Sequence, residues 1–278
     1  MKKITLFVMA ASCLATATFA QSENSLHLKK GQKYVVENII STQSSTEAQG
    51  QTMETNIDAT TTYNIEVNDI VSDNYNLINT VNNVKMKMSM MGQEMNFDSD
   101  KKEDLDGPMG APMKDYIKKP TPVVLDKSGK VITQKTDTSS DVLSPTSQLA
   151  NFEATGFGAQ MAFEALPKNL KAGAKWTNKT DENGISKTTN YTVKEINGDL
   201  ATITLDGTMS TDMKMEQSGM QMNAKTSGKF TGEEVVNIKT GVVQTNTTVV
   251  DASGNIEVMG QELPTSSKVT TTTTVKAL

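Results

Sequence analysis

Ala201-Thr-Ile203-Thr-Leu205-Asp-Gly207-Thr-Met209-Ser-Thr-Asp-Met213-Lys-Met215 sets its large apolar side chains on odd positions only. A period of two belongs to a pleated strand with one buried face, because successive Cβ atoms point to opposite sides of the sheet. The parity predicts one long strand over about 200–216, with Gly207 as the place where a bend or bulge is tolerated. Working outward, Tyr191 and Val193 alternate in the same way and Asn197-Gly198-Asp199 reads as a tight turn. Tyr63, Ile65 and Val67 share a face, Asn68-Asp69 reads as a turn, and Tyr75, Leu77 and Val81 resume the alternation. Threonine and valine abound, as half-buried strands favour. Helical character is confined to Ser147 to Ala165, where Leu149, Phe152, Met161 and Phe163 fall at mixed spacings before Pro167. The fold expected is therefore all-β with a minor α component, antiparallel.

The plan is written twice. Leu28-Lys-Lys-Gly31-Gln-Lys-Tyr34 matches Leu170-Lys-Ala-Gly173-Ala-Lys-Trp176, and Thr61-Thr-Tyr63 answers Thr188-Thr-Asn-Tyr191. The stretch Met86 to Asn96 then corresponds to Met213 to Asn223, and Val123 to Val131 corresponds to Val235 to Val243, each with a Lys-Ser-Gly or Lys-Thr-Gly loop. Four markers in one order indicate an internal duplication. The glycines of the last pair fit hairpin loops that need positive φ. This divides the chain into a leader at 1–20, a first β-repeat at 21–145, a helical connector at 146–169 and a second β-repeat at 170–278. The two related halves form either one strongly curved sheet or two open half-barrels, with short helices near 145–168. Asp98 to Pro122 is irregular, because charges, Gly107-Pro108 and Gly110-Ala-Pro112 interrupt pairing.

Of the 278 residues, 36% are hydrophobic and 5% aromatic, below the roughly 45–50% apolar content of an average domain, so the core is thin. All 27 basic side chains are lysine, which removes bidentate guanidinium recognition of phosphate or carboxylate. A net charge of −5 with no basic run argues against nucleic acid as a partner.

The first twenty residues place Lys2 and Lys3 before an apolar run and end in small residues at Ala20, the layout of a secretory signal cleaved after Ala20. Cys13 has two readings, a lipidation site in a small-residue box or a signal-peptide residue that is discarded. No later window reaches about 18 consecutive apolar residues, so the mature chain has no transmembrane segment of the helical kind. Paired aromatic girdles of an outer-membrane barrel are missing as well. The protein is expected to be exported, to the periplasm, the outer membrane's vicinity or the exterior.

Leu166-Pro167 followed by Leu170, Gly173 and Trp176, together with the paired Lys-x-Gly hairpins and the leader, resembles a family of exported bacterial proteins of unknown function. The resemblance implies a duplicated, sheet-rich domain and carries over no catalytic residue. At a greater distance the strand pattern is similar to open β-barrels that carry lipoproteins or lipids across a periplasm, an analogy of fold alone.

Catalytic chemistry finds little footing. The single histidine, His27, lies near the expected mature N-terminus, so a nucleophile–histidine–acid triad has no base and zinc has no ligand cluster. The acidic run Asp98 to Gly107 departs from the calcium-loop pattern, with Lys102 and Glu103 at ligand and turn-glycine positions. Spacing selects no pair of carboxylates. No enzyme activity, metal or cofactor is expected.

Methionine is the unusual resource, with 17 in the chain. Met86, Met88 and Met90 share one strand face, Met213 and Met215 another, and Met220 and Met222 follow. These side chains serve to fill an irregular core, to line a pliable cavity for an apolar or lipid-like ligand, or to offer thioethers to Cu(I). The functional reading taken is non-enzymatic binding of an apolar small molecule or lipid on a concave sheet face. The alternative is a structural module that joins an envelope protein through exposed strand edges such as the threonine-rich C-terminal strand.

Overall fold

In a computed structural model, the described residues are 25–132 and 157–278, apart from Gln49, Met91, Asp115, Asn183, Ser218, Gly219 and Met259. The leader, Cys13 and residues 146–156 of the expected connector lie outside them. Eleven strands carry the alternation: β1 (Lys33–Ala48), β2 (Gln51–Val71), β3 (Asn74–Met90), β4 (Gln93–Asp98), β5 (Pro120–Leu125), β6 (Lys175–Glu182), β7 (Ile185–Asn197), β8 (Leu200–Gln217), β9 (Met220–Asn237), β10 (Val243–Val258) and β11 (Gln261–Ala277). Two short helices are described, α1 (Lys102–Asp106) and α2 (Phe157–Ala162).

All strands join one antiparallel sheet in the order β4-β3-β2-β1-β11-β10-β9-β8-β7-β6, with β5 beside β4 on the outer edge of β3. The single curved sheet is thus realised, not two half-barrels. The opening stretch is the strand β8, and β9 pairs along its whole length. The Asn68-Asp69 turn expected in the sequence is not a turn. Strand β2 runs through it to Val71, absorbing Asn68 as a bulge between Val67 and Asp69, and the chain reverses at Ser72 and Asp73 in positive φ.

The duplication is visible in hydrogen bonds. Gly31 N–H donates to Val67 O at 2.8 Å and Val67 N–H returns to Gln32 O at 2.9 Å; Gly173 donates to Val193 O at 2.8 Å and Val193 returns to Ala174 O at 2.9 Å. Both returns precede a bulge. The strand set β1-β2-β3-β4/β5 follows the same order and sense as β6-β7-β8-β9. The insertion 99–119, with α1 in it, is what cuts the first unit's last strand into β4 and β5.

The C-terminal strand is not an edge. The threonine-rich β11 pairs with β1 on one side and β10 on the other, so it occupies the middle of the sheet and offers no free backbone for strand addition. Joining the last strand to the first welds the two units together. The free edges are those of β4, β5 and β6, and β6 carries Lys175 and Lys179 as edge charges of the kind that discourage pairing.

One end of the sheet is closed by a plug made of residues 25–28 and 157–166. From β5 to β9 is six strand steps, roughly 29 Å at about 4.8 Å each. Yet Leu26 N–H donates to Lys127 O after β5 at 2.8 Å, and His27 N–H donates to Thr240 O after β9 at 3.1 Å. Two adjacent residues reach both turns only if the sheet curls. A methyl on Gly129 would lie 3.5 Å from Leu26 Cδ1, and one on Gly241 only 2.5 Å from Leu26 Cδ2 and 2.6 Å from Glu164 O. Gly241 also has φ +78°, so this position excludes any side chain twice over. Tyr75 Oη fastens the plug by donating to Leu26 O at 2.6 Å.

Helix α2 lies against β3, β2, β1, β11 and β10. Under the plug, Tyr34, Val36, Tyr63, Ile65, Val193, Ile203 and Val236 form the core, each large side chain contributing about 1.5–3 kcal/mol. Tyr34 packs edge-on against Phe163 of the plug, ring centroids 5.5 Å apart.

Candidate functional site

Cross-strand register sorts the inward face into rows. The first row is Thr61, Asn38, Thr273, Asn246, Glu234, Ile203, Val193. Next comes Ala59, Ile40, Thr271, Thr248, Gly232, Leu205, Tyr191, Trp176. The third is Met95, Met88, Ile57, Thr42, Val269, Val250, Phe230, Gly207, Thr189. In this third row Ile57, Val269 and Val250 are half-buried, and Ile57 packs against the edge of the core. Phe230 leans over Gly207, where an added methyl would stand 2.6 Å from the ring.

The methionines divide. Met86 and Met88 are buried at 5% and 6% exposure, and Met86 belongs to the same core as Phe97 and Met113, as core filling requires. Met90, at the hairpin tip, is 44% exposed. Met213 is half-buried, and Met215, Met220 and Met222 hold register positions in the β8–β9 hairpin while their side chains lie outside the described set. Met86 and Met88 thus pack as core, Met90 stands open at a hairpin tip and Met213 lies on β8 opposite Ala224. Open depressions of about 640 and 700 Å³ lie toward the far strand ends, lined mainly by Ser, Thr, Asp and Lys side chains.

What the structure does bring together is a set the sequence did not single out. Glu164 of the plug, Lys187 and Tyr191 of β7, and Glu234 of β9 converge beside the first two rows. Tyr191 donates a hydrogen bond to Glu164 and stacks on Trp176, ring centroids 4.8 Å apart and planes within 2°. Lys187 Nζ lies 4.8 Å from the Phe230 ring centroid, a cation–π contact. Glu234 is 3% exposed; one oxygen accepts from Asn246 Nδ2 at 3.0 Å, and Oε1 has no partner among the described residues. Asn246 in turn accepts from Thr248 Oγ1 at 3.0 Å.

Burial dominates the protonation of this set. It lifts the Glu164 carboxyl to about 7, against the Tyr191 hydrogen bond and the Lys187 charge, which favour ionisation. Glu234 is lifted to about 8 by burial and by the neighbouring Glu164 charge. Burial also lowers Lys187, with both glutamates acting the other way, and raises Tyr191. Lys187 is exposed and Glu164 half-buried, so these two groups stand open to solvent while Glu234 behind them is closed off. Among the described residues no cluster of His, Cys, Asp and Glu is arranged to hold a metal ion.

The sequence held a signal for this set. Lys187 shares the parity of Tyr191 and Val193, and Glu234 that of Phe230 and Val236, so both are charges on the inward face of their strands. A charge on the buried parity is costly unless paired or used.

The geometry defines an all-β protein, one open and curled antiparallel sheet plugged at one end. The chain belongs to a family of unknown function (DUF6263), whose model matches it twice, at residues 72–161 and 151–243. No curated protein matches the chain. Among solved structures it is similar to lipovitellin, determined for its lipid–protein interactions, at 9% identity and a TM-score of 0.49 over 90% of this chain. It spans 25% of the lipovitellin chain. An outer membrane channel from Pseudomonas putida F1 is similar at 10% identity and a TM-score of 0.27, over 92% of this chain and 98% of the channel. A DUF1329 family protein from Desulfovibrio piger is similar at 9% identity and a TM-score of 0.18, over 86% and 84% of the two chains.

Proposed function

We propose that this is an exported, non-enzymatic protein of the cell envelope that holds an apolar, lipid-like ligand against the inward face of its sheet, next to the plug. The observation that carries this reading is the third row, where Ile57, Val269 and Val250 stay half-exposed beside the buried Phe230 and Met88 on the inward face of the sheet. At the plugged end the same face is covered by α2 and residues 25–28. Leaving several apolar side chains in contact with water forgoes about 25 cal/mol for each Å² that a cover would bury, which an alkyl chain recovers on binding.

The test is a neutral, environment-sensitive dye, N-phenyl-1-naphthylamine, displaced by dodecanol. The wild type and Val249→Asp, whose new charge points outward, are expected to brighten the dye, and Val250→Asp, one residue on and facing inward, is expected not to. Equal brightening by all three proteins, or none by the wild type, overturns the reading.

A further inference from the structure

The cluster beside the apolar row has an uneven charge count. Two carboxyls, Glu164 and Glu234, face one ammonium, Lys187, and the remaining neighbours, Tyr191, Trp176, Asn246 and Thr248, carry no charge at neutral pH. Lys187 is drawn both to the glutamates and to the Phe230 ring, so it does not sit as an exclusive partner of either acid. The deficit shows in Glu234, whose Oε1 is without a partner among the described residues although the side chain is 97% removed from solvent by its 3% exposure. Ionised, that oxygen would be a buried acceptor without a donor and the set would carry one negative charge in excess, so a proton, or an ammonium in its place, balances it. Solvent contact at Lys187 and Glu164 opens a way in from the concavity.

We infer that this cluster receives the ammonium head of a cationic amphiphile, with Glu234 and Glu164 as acceptors, the Tyr191 and Trp176 rings alongside, and the alkyl chain lying along the row from Phe230 to Ile57. The inference rests on the apolar-ligand reading above and names the head group that reading leaves open. An ammonium supplies the N–H donors that Glu234 Oε1 lacks and is favoured by nearby aromatic faces. A carboxylate head would set a third acid beside Glu164 and Glu234 and is disfavoured. Because burial and the neighbouring Glu164 charge hold a proton on Glu234 well above the usual carboxylate range, an incoming ammonium displaces that proton into solvent and the site exchanges one positive charge for another. The groups facing Glu234 in this exchange are Glu164 from the plug, Lys187 and Tyr191 from β7 and Asn246 from β10.

Trp176 is the sole tryptophan of the chain, so its emission reports on this site alone. The full-length protein is titrated with dodecylamine, dodecanol, dodecanoate and butylamine while Trp176 emission and heat are followed. Dodecylamine is expected to bind at least tenfold more tightly than dodecanol, dodecanoate more weakly than either, and butylamine, which has the head without the chain, at least a hundredfold more weakly than dodecylamine. Calorimetry at pH 7 in buffers of different ionisation enthalpy is expected to show proton release on dodecylamine binding. In Glu234→Gln the amine's advantage and the proton release both vanish while dodecanol affinity persists, which also shows that the variant is folded. Dodecanol binding with no preference for the amine, or a preference that survives Glu234→Gln, overturns the inference and leaves the apolar-ligand reading standing. Butylamine binding as well as dodecylamine overturns it in favour of a free small amine, and failure of every alkyl ligand to bind removes both.

Discussion

The two units share a backbone and differ in what they bury. Val67 stands opposite Leu77, and Leu77 opposite Val123; in the second unit Val193 stands opposite Ile203, and Ile203 opposite Glu234. Two residues before those valines, Ile65 pairs with Tyr34 while Tyr191 pairs with Trp176. One register position thus holds a valine in a closed apolar core and a glutamate in a polar recess, one residue before the Val123–Val235 correspondence that the sequence suggests. Since a carboxyl at such a position costs free energy that its valine counterpart does not, the second unit's departure from its own template marks where the fold gives up stability for another end.

The comparison can be broken by exchanging the two residues. Val123→Glu puts a carboxyl in the apolar unit with no counterpart of Lys187, and is expected to destabilise the protein by about 3 kcal/mol or more in chemical denaturation above pH 7. Close to this in size is Gly241→Ala, where a methyl meets both Leu26 and the Glu164 carbonyl in positive φ; a loss of about 2–4 kcal/mol is expected, against about 1–2 kcal/mol for Gly129→Ala, whose methyl finds ordinary contact distances. The reverse exchange, Glu234→Val, is expected to raise stability by about 1–3 kcal/mol at pH 8 while abolishing any amine preference. A stabilised protein that still preferred the amine would uncouple the recess from its supposed role.

The smallest expected effect is the pH dependence itself. Glu164 and Glu234 bind protons more tightly in the folded state than at their ordinary 4.5, so the stability they contribute is complete below about pH 4.5 and is lost as the pH rises through about 7 and 8. Lys187, lowered by burial, acts in the opposite sense at higher pH, because there the unfolded chain holds the proton that the folded one has given up. Melting temperature is therefore expected to fall between pH 5 and pH 8.5, and Glu234→Gln is expected to flatten that fall. A flat wild-type profile would contradict the assignment of burial as the dominant influence.

Much of the fold was legible because strand physics is local. The odd parity from Ala201 to Met215 and the recurring Gly-x-x-aromatic and Lys-x-Gly signals locate strands and turns without knowledge of tertiary structure. Asn68-Asp69 misled because a bulge and a turn draw on the same residues. The place of β11 at the centre of the sheet was not legible, since pairing with β1 joins residues more than two hundred positions apart and leaves no local trace. The recess was hidden for the same reason: Glu164, Lys187 and Glu234 come from three separate segments, and only the curl imposed at Leu26 brings the plug onto β7 and β9. Methionine richness drew attention to Met86 and Met88, whose burial is that of ordinary core packing.

The central claim is that the row beside the plug holds an alkyl chain. Its most direct measurement is mass spectrometry of organic extracts from the folded protein, purified without detergent from the cells that export it. A stoichiometric amphiphile in the wild type and its absence from Val250→Asp are the results expected. A folded wild-type protein that is empty, and stays empty after incubation with a molar excess of dodecanol, would contradict the claim.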